Sequence, residues 1–140
     1  MAQSLTRQLA GFSNPADNTW VNASIAVPPG VAVLPSATAT AGTAISATVP
    51  AVAGQTNWLL GFTLSSGAPA TTATGLVTIT GLQGGTLQFQ FTQSSVLGGL
   101  LQIFLPAALP ASGINVPIVV SLGTVAGGAV TALNIQAFTV

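Results

Sequence analysis

Arg7 and Asp17 are the two side chains of the 140-residue chain that carry a charge at neutral pH. The chain has no His, Cys or Tyr, so residues 18–140 contain no ionisable side chain. General acid–base catalysis needs a group that exchanges a proton near working pH, and a Ser or Thr nucleophile needs a base beside it. The sequence therefore predicts no catalytic residue and a protein that is not an enzyme.

The same composition limits the metals, cofactors and nucleic acids that the chain could bind. Zinc and iron sites need His, Cys or several carboxylates. Asn14, Asp17 and Asn18 offer oxygens for calcium, but calcium takes about six to eight oxygens, usually from several carboxylates. A turn in which these side chains bond their own backbone fits better. Because phosphate neutralisation needs clustered Lys and Arg, we predict no metal, no cofactor and no nucleic-acid partner.

The hydropathy of the chain suggests a membrane protein, but its distribution along the sequence does not. Hydrophobic residues make up 49% and the mean hydropathy is +0.76. A spanning helix needs about 20 consecutive apolar residues, and the most apolar stretch, 96–109, is interrupted by Gly98, Gly99, Gln102 and Pro106. The first residues lack the apolar core of a secretory signal. We therefore expect synthesis in the cytoplasm, no membrane contact, and a surface built from 18 Thr, 11 Ser, 9 Gln and 6 Asn.

Alternation of apolar and polar residues indicates β-strands from residue 20 onward. In 86–93, Leu87, Phe89 and Phe91 alternate with Gln88 and Gln90, as in a strand with one buried face. Gly-rich and Ser-rich turns separate similar rows. The other predicted inward rows are Ile45/Ala47/Val49, Trp58/Leu60/Phe62/Leu64, Val77/Ile79, Leu101/Ile103/Leu105, Ile118/Val120/Leu122 and Leu133/Ile135/Ala137. This pattern predicts an all-β fold, an antiparallel β-sandwich of about eight strands with jelly-roll or Ig-like topology.

Two segments depart from this pattern. Phe138 and Val140 fall on the face opposite Ala137, which predicts a bulge or a face packed on a neighbour. Trp20 to Val27 forms a weaker strand.

Residues 1–19 differ from the rest and are predicted to form an N-terminal arm, with residues 20–140 as the β-sandwich domain. Leu5, Leu9 and Phe12 have helical spacing, and a helix this short needs a surface to lie on. Arg7 could pair with an acidic partner surface or stay solvated. A frayed terminus is the alternative to a docked arm.

The candidate partner-contact residues follow from the arm and from the apolar positions on the predicted outer faces. They are Leu5, Arg7, Leu9, Phe12 and Trp20. Trp20 and Trp58 could instead stack on sugar rings, although packing is the simpler role for both. The apolar outward positions are Leu59, Leu76, Leu97, Leu100, Phe104 and Phe138. A monomer rarely exposes many apolar side chains without charge between them, so the sequence predicts an oligomer.

From about Ile45 to Val140 the chain resembles small β-rich virion proteins of tailed bacteriophages, of the head-decoration or fibre type. The resemblance rests on segments 49–54, 61–64, 77–87, 109–112, 118–122, 127–128 and 137–140, which are strand and turn patterns. It implies a β-sandwich, a homotrimer, and a place on the outer surface of a phage head with the major capsid protein or another virion protein as partner. The alternative is a fibre or surface module that recognises a carbohydrate or a receptor.

Overall fold

The computed structural model describes residues 12–13, 20–21 and 30–140, and side chains only within 30–140. The described residues contain eleven strands and no helix. The strands are β1 (Phe12–Ser13), β2 (Trp20–Val21), β3 (Val31–Val33), β4 (Ser36–Ala39), β5 (Ile45–Val49), β6 (Asn57–Ser66), β7 (Ala73–Leu82), β8 (Gly85–Gln93), β9 (Gly99–Pro110), β10 (Ile118–Leu122) and β11 (Thr131–Thr139). Within this part of the chain no helix is long and apolar enough to cross a membrane.

Nine of these strands form two antiparallel sheets. One sheet has the order β5-β10-β7-β8, and the other has the order β3-β11-β6-β9 with β4 also paired to β11. β3 and β4 follow each other along the chain and pair with the same edge of β11. Only Leu34 and Pro35 separate them, so together they form one interrupted strand. The predicted all-β antiparallel sandwich is therefore confirmed.

The pairing of the strands distinguishes between the two topologies that the sequence left open. Counting β3 and β4 together, the first strand pairs with the last (β11), β5 with β10, β6 with β9, and β7 with β8. This nested set of antiparallel pairs, divided between two four-stranded layers, is the double Greek key of a jelly roll. The fold is a jelly roll rather than an Ig-like sandwich.

The core lies between the sheets and is built by alternation along each strand. β5 and β10 follow strict patterns in which every second residue is buried, as predicted. Phe62, Leu64, Leu133 and Ile135 fill the core from the five-stranded sheet. Burial of apolar surface at about 25 cal/mol per Å² is the main term that holds the layers together, since residues 30–140 have no charge to pair.

The predicted inward row of β6 is wrong in its first half. Leu59 is fully buried (0% exposed), whereas Leu60 is 41% exposed. Between Leu59 and Gly61, β6 advances by two residues while β11 advances by one, so Leu60 is the extra residue of a β-bulge. The bulge shifts the phase of the strand, so Trp58 and Leu60 face outward while Phe62 and Leu64 keep the predicted orientation.

The bulge expected near Phe138 therefore belongs to the neighbouring strand. β11 alternates without interruption from Thr131 to Thr139. Phe138 faces outward in this regular strand, and its register partner on β6 is Trp58.

The N-terminal segment is described at four residues only. Phe12 pairs with Val21 and Ser13 with Trp20, in a separate two-stranded sheet. Phe12 therefore lies in a strand, so the predicted helix with Leu5, Leu9 and Phe12 on one side is wrong at Phe12. Residues 22–27 of the predicted strand 20–27 lie outside the described residues. The division at 19/20 stays a prediction, and the nine sandwich strands lie within 31–139.

Candidate interaction surfaces

The described part of the sandwich offers neutral hydrogen-bonding groups and apolar side chains, and no titratable side chain within 30–140. Such a surface binds by shape, apolar burial and hydrogen bonds, because it has no proton donor of suitable pKa and no charge. The candidate functional sites of residues 30–140 are therefore interaction surfaces.

The outer faces of the two sheets differ in chemistry. The outer face of the four-stranded sheet is a field of hydroxyls and amides, with Leu76 as its exposed apolar residue. Its exposed polar residues are Ser46, Thr48, Thr74, Thr80, Thr86, Gln88, Gln90 and Thr92. The outer face of the five-stranded sheet carries exposed Leu60, Leu100 and Phe104 beside half-buried Trp58 and Phe138. The second face is the more apolar of the two.

Trp58 and Phe138 form an aromatic pair on that apolar outer face. Their ring centroids are 6.0 Å apart and their planes differ by 1°, an offset-stacked arrangement. The bulge at Leu60 creates the pair, because it turns Trp58 outward to meet Phe138. Each ring is partly covered by the other, which supports packing rather than sugar stacking as the role of Trp58.

A shallow apolar cleft lies at the turn between β7 and β8, beside the last residues of β9. Its volume is about 400 Å³. It is lined by Leu82, Gln83, Gly84, Gly85, Leu87, Leu109 and Pro110. Gln83 is the one polar side chain among the lining residues, so the cleft suits an apolar group and supplies no chemistry.

Four loops meet at the opposite end of the sandwich, and we call this region the loop end. It comprises residues 40–44, 67–72, 94–98 and 123–130. The backbone N–H of Ser95 donates to the hydroxyl of Thr72 at 3.4 Å, and that of Gly67 donates to the carbonyl of Val130 at 3.1 Å. These contacts hold the loops against each other at one surface.

The loop end is fastened to the core by Gln93 and exposes apolar side chains at its tip. Gln93 is buried, and its Oε1 accepts a hydrogen bond of 2.9 Å from the backbone N–H of Ala129. Val96 and Leu97 are 80% and 89% exposed. Two adjacent apolar side chains at a loop tip are costly to leave in water, which makes this tip a candidate contact with another protein.

The predicted partner-contact residues are only partly within the described chain. Leu5, Arg7 and Leu9 lie outside it. Phe12 and Trp20 lie on adjacent rungs of the β1–β2 pair, since Phe12 pairs with Val21 and Trp20 pairs with Ser13. Whether these five residues contact a partner stays a prediction.

Several predicted outward apolar positions are confirmed and one is corrected. Leu76, Leu97, Leu100 and Phe104 are exposed, as predicted. Phe138 also faces outward, as predicted, and is half-buried against Trp58. Leu59 is corrected, because the bulge leaves it buried. Sequence reasoning passed over Val96, although its place beside Leu97 in a turn was a usable signal.

Strand order and pairing define the class of this domain, a jelly-roll β-sandwich with a neutral surface. No family model matches the chain, and no curated protein matches it. Among solved structures, the chain is similar to a cryo-EM structure of the virus-like particle of extra small virus from the giant freshwater prawn Macrobrachium rosenbergii. That alignment covers 97% of each chain, at 13% identity and a TM-score of 0.44.

Proposed function

We propose that this chain is a non-enzymatic virion structural protein, a subunit that decorates and stabilises the outer surface of a tailed-phage head. The observation that carries the proposal is the exposed apolar tip of Val96 and Leu97, on a domain whose residues 30–140 have no charge. The jelly roll is an architecture that viral capsid domains use, and the strand and turn segments from Ile45 onward resemble phage virion proteins. Fold alone does not decide function, so the surface has to supply the argument.

The surface favours permanent contact with other proteins. A neutral chain lacks the charge repulsion that keeps soluble proteins apart. Exposed apolar residues occur at the loop end and on the outer face of the five-stranded sheet, for example Leu97 and Phe104. Burying them against a shell would lower the free energy of binding by about 25 cal/mol for each Å² of apolar surface covered. Such contacts need no recognition chemistry.

The proposed attachment uses the N-terminal arm and contacts between subunits. Leu5, Arg7, Leu9, Phe12 and Trp20 would contact the major capsid protein or another virion protein, and apolar faces would join subunits as a homotrimer. Identical weak contacts around an oligomer add up by multivalency. Binding to the mature shell stabilises it by mass action against the outward pressure of packaged DNA.

The test of the proposal is a cryo-EM reconstruction of phage particles that carry this chain, together with quantitative mass spectrometry of the purified particles. We expect density for a jelly roll on the outside of the head, in a copy number comparable to that of the major capsid protein. Absence from the particle, or presence on the tail alone, would overturn the proposal.

Two variants separate the arm from the loop end as the attachment point. Deleting residues 1–13 removes β1 and leaves all nine sandwich strands. Full decoration of heads by this truncated protein would show that the arm is not the attachment. The second variant, V96S/L97S, is compared with I114S, which changes an exposed apolar residue at the opposite end of the sandwich. We expect decoration to fall for V96S/L97S and to be unchanged for I114S.

The alternative function is a phage fibre or surface module that recognises a carbohydrate or a receptor. It has less support, because the ring of Trp58 is engaged by Phe138. A glycan-binding screen with the W58A variant as its control distinguishes the two functions. Glycan binding that disappears in W58A would favour the alternative.

A further inference from the structure

β8 is the least protected edge strand of the sandwich. The edges of the two sheets are β5, β8, β9 and the interrupted pair β3/β4. Proteins protect edges with prolines, bulges, charges or short strands. β3/β4 is broken at Pro35, β5 has five residues and ends before Pro50, and β9 contains Pro106 within its irregular segment. β8 has nine residues, no proline, no charge and no bulge opposite residues 73–79 of β7.

The core-facing side chains of β8 are incompletely covered. Phe91 is fully buried, but Leu87 and Phe89 on the same face are half-buried, although both point toward the core. Phe89 packs edge-to-face on Phe62 at 5.8 Å, so its ring belongs to the core on one side. β7 is the only strand paired to β8 within the described chain. The start of β9 lies against the end of β8, where Ser94 pairs with Gly98 and Gly99 lies beside the carbonyl of Thr92. A further strand along residues 86–90, on the side of β8 away from β7, would cover the exposed flanks of Leu87 and Phe89.

The outward-facing residues of β8 are symmetric about Phe89, whereas the core-facing Leu87 and Phe91 differ. Residues 86–92 read Thr-Leu-Gln-Phe-Gln-Phe-Thr, so Thr86 and Thr92 lie at equal distances from Phe89, and so do Gln88 and Gln90. Thr86, Gln88, Gln90 and Thr92 are all exposed on the outer face. An antiparallel pair of two such strands centred on Phe89 places Gln88 opposite Gln90 of the second copy in both halves of the pair. Matched cross-strand pairs of this kind stabilise a sheet, whereas a strand without symmetry offers no such match to itself.

We propose that β8 is a self-pairing edge, whose partner is β8 of a second copy of this chain, antiparallel and centred on Phe89. Two four-stranded sheets become one continuous eight-stranded sheet, because each free edge supplies the hydrogen-bonding groups that the other lacks. The two-fold axis passes midway between Phe89 of one copy and Phe89 of the other, so the contact is the same for both copies. This pairing does not rest on the virion role. It joins copies two by two, whether or not each copy also belongs to a trimer.

Single cysteines test the register, because the chain has no cysteine of its own. In the proposed pair, residue 88 lies opposite residue 90 of the second copy, at about 4.5–5.5 Å between Cα atoms, within reach of a disulfide. Residue 88 lies diagonally from residue 88 of the second copy, at about 7–8 Å, which is too far. We expect Q88C and Q90C, co-expressed and mildly oxidised, to form a disulfide-linked dimer in up to half of the chains. Each variant alone should stay reduced, and equal cross-linking of the single variants, or none in the mixture, would overturn the register.

Charges at the same two positions test the contact without a covalent bond. Q88K/Q90K places like charges opposite each other in both halves of the pair, whereas Q88K/Q90E places opposite charges there. We expect the first variant to weaken self-association at least about tenfold and the second to retain it. The matched control is S46K/T48K, on the exposed face of the other edge strand of the same sheet, which should leave association unchanged. Equal association of Q88K/Q90K and S46K/T48K in sedimentation-velocity runs would overturn the proposal.

Discussion

Thr139 donates a hydrogen bond of 2.8 Å from its hydroxyl to Oδ1 of Asn57, and both side chains are buried. The amide nitrogen of Asn57 donates to the carbonyls of Pro50 and Val116, each at 3.0 Å. One side chain at the start of β6 therefore fastens the end of β11 and the loops at 50–56 and 111–117. It gives two part-buried backbone carbonyls a hydrogen-bond donor.

The first prediction concerns this junction. N57A leaves two carbonyls and a hydroxyl without their partner, so we expect the free energy of unfolding to fall by about 3 kcal/mol or more. T139V removes only one hydrogen bond and should cost about 1–2 kcal/mol. The matched control is N134A on the exposed face of β11, which should change stability by less than about 0.5 kcal/mol. Urea denaturation measures all three, and a similar loss for N57A and N134A would contradict the role of Asn57.

The bulge in β6 makes two neighbouring leucines respond differently to the same substitution. L59A removes a fully buried side chain and should cost about 2–5 kcal/mol. L60A changes an exposed side chain and should cost less than about 0.5 kcal/mol. Thermal or urea denaturation of the two variants checks the phase of the strand. A larger loss of stability for L60A than for L59A would contradict the bulge and support the regular alternation that the sequence predicted.

The Trp58–Phe138 pair should couple energetically. Offset-stacked rings contribute about 0.5–1.5 kcal/mol beyond the area that they bury. A double-mutant cycle with W58L and F138L should give a coupling energy in that range. A cycle with W58L and L76A, which lie on different sheets, should be additive. Additivity in the first cycle would mean that the rings are neighbours without a specific interaction.

Stability should be nearly independent of pH and salt. Stability changes with pH only where the folded and unfolded chains bind different numbers of protons, and residues 30–140 have no side chain that titrates. We expect the melting temperature to stay within a few degrees from about pH 4 to about pH 10, and up to about 0.5 M sodium chloride. Sulfate should raise it, because it strengthens apolar burial. A fall of about 10 °C between pH 7 and pH 4 would show that Asp17 or a chain end is buried in a strong interaction.

The N57D variant provides a positive control for that pH series. Burial against two carbonyls would raise the pKa of the new carboxyl above the value of about 3.9 in the unfolded chain. A raised folded-state pKa means that the folded protein holds the proton more tightly. The variant should therefore be most stable at low pH and lose stability as pH rises. Its melting temperature should fall above about pH 4, whereas that of the parent chain should not.

The sequence was most informative where a strand has one buried face. Alternation at Ile45, Ile118 and Leu133 predicted the core of both sheets, because polar residues separate the apolar ones in β5 and in the middle of β11, and Ser121 separates Val120 from Leu122 in β10. The jelly-roll pairing could not be read, since strand order depends on which edges meet in space and leaves no local pattern. The bulge at Leu60 was missed because Trp58, Leu59 and Leu60 are all apolar, so either phase fits the composition.

The candidate surfaces were predictable only in part. Leu97 and Phe104 were expected to be exposed and are exposed. The aromatic pair depends on the bulge, and the loop end depends on loops that are up to about ninety residues apart in sequence, so neither was visible locally. The symmetry of residues 86–92 was present in the sequence, but it gains meaning only once β8 is known to be an edge.

The position of β11 between β3/β4 and β6 determines when the domain can form during synthesis. The last strand of the sandwich is central in its sheet, so β3/β4 and β6 lack their β11 partner until residues 131–139 have been synthesised. Until then the nascent chain presents the edges of β4 and β6 together with an open core, a state that invites pairing with other chains. The jelly roll is therefore completed only after β11 has been made, and a pause in translation before residue 131 would prolong the interval in which the chain can aggregate.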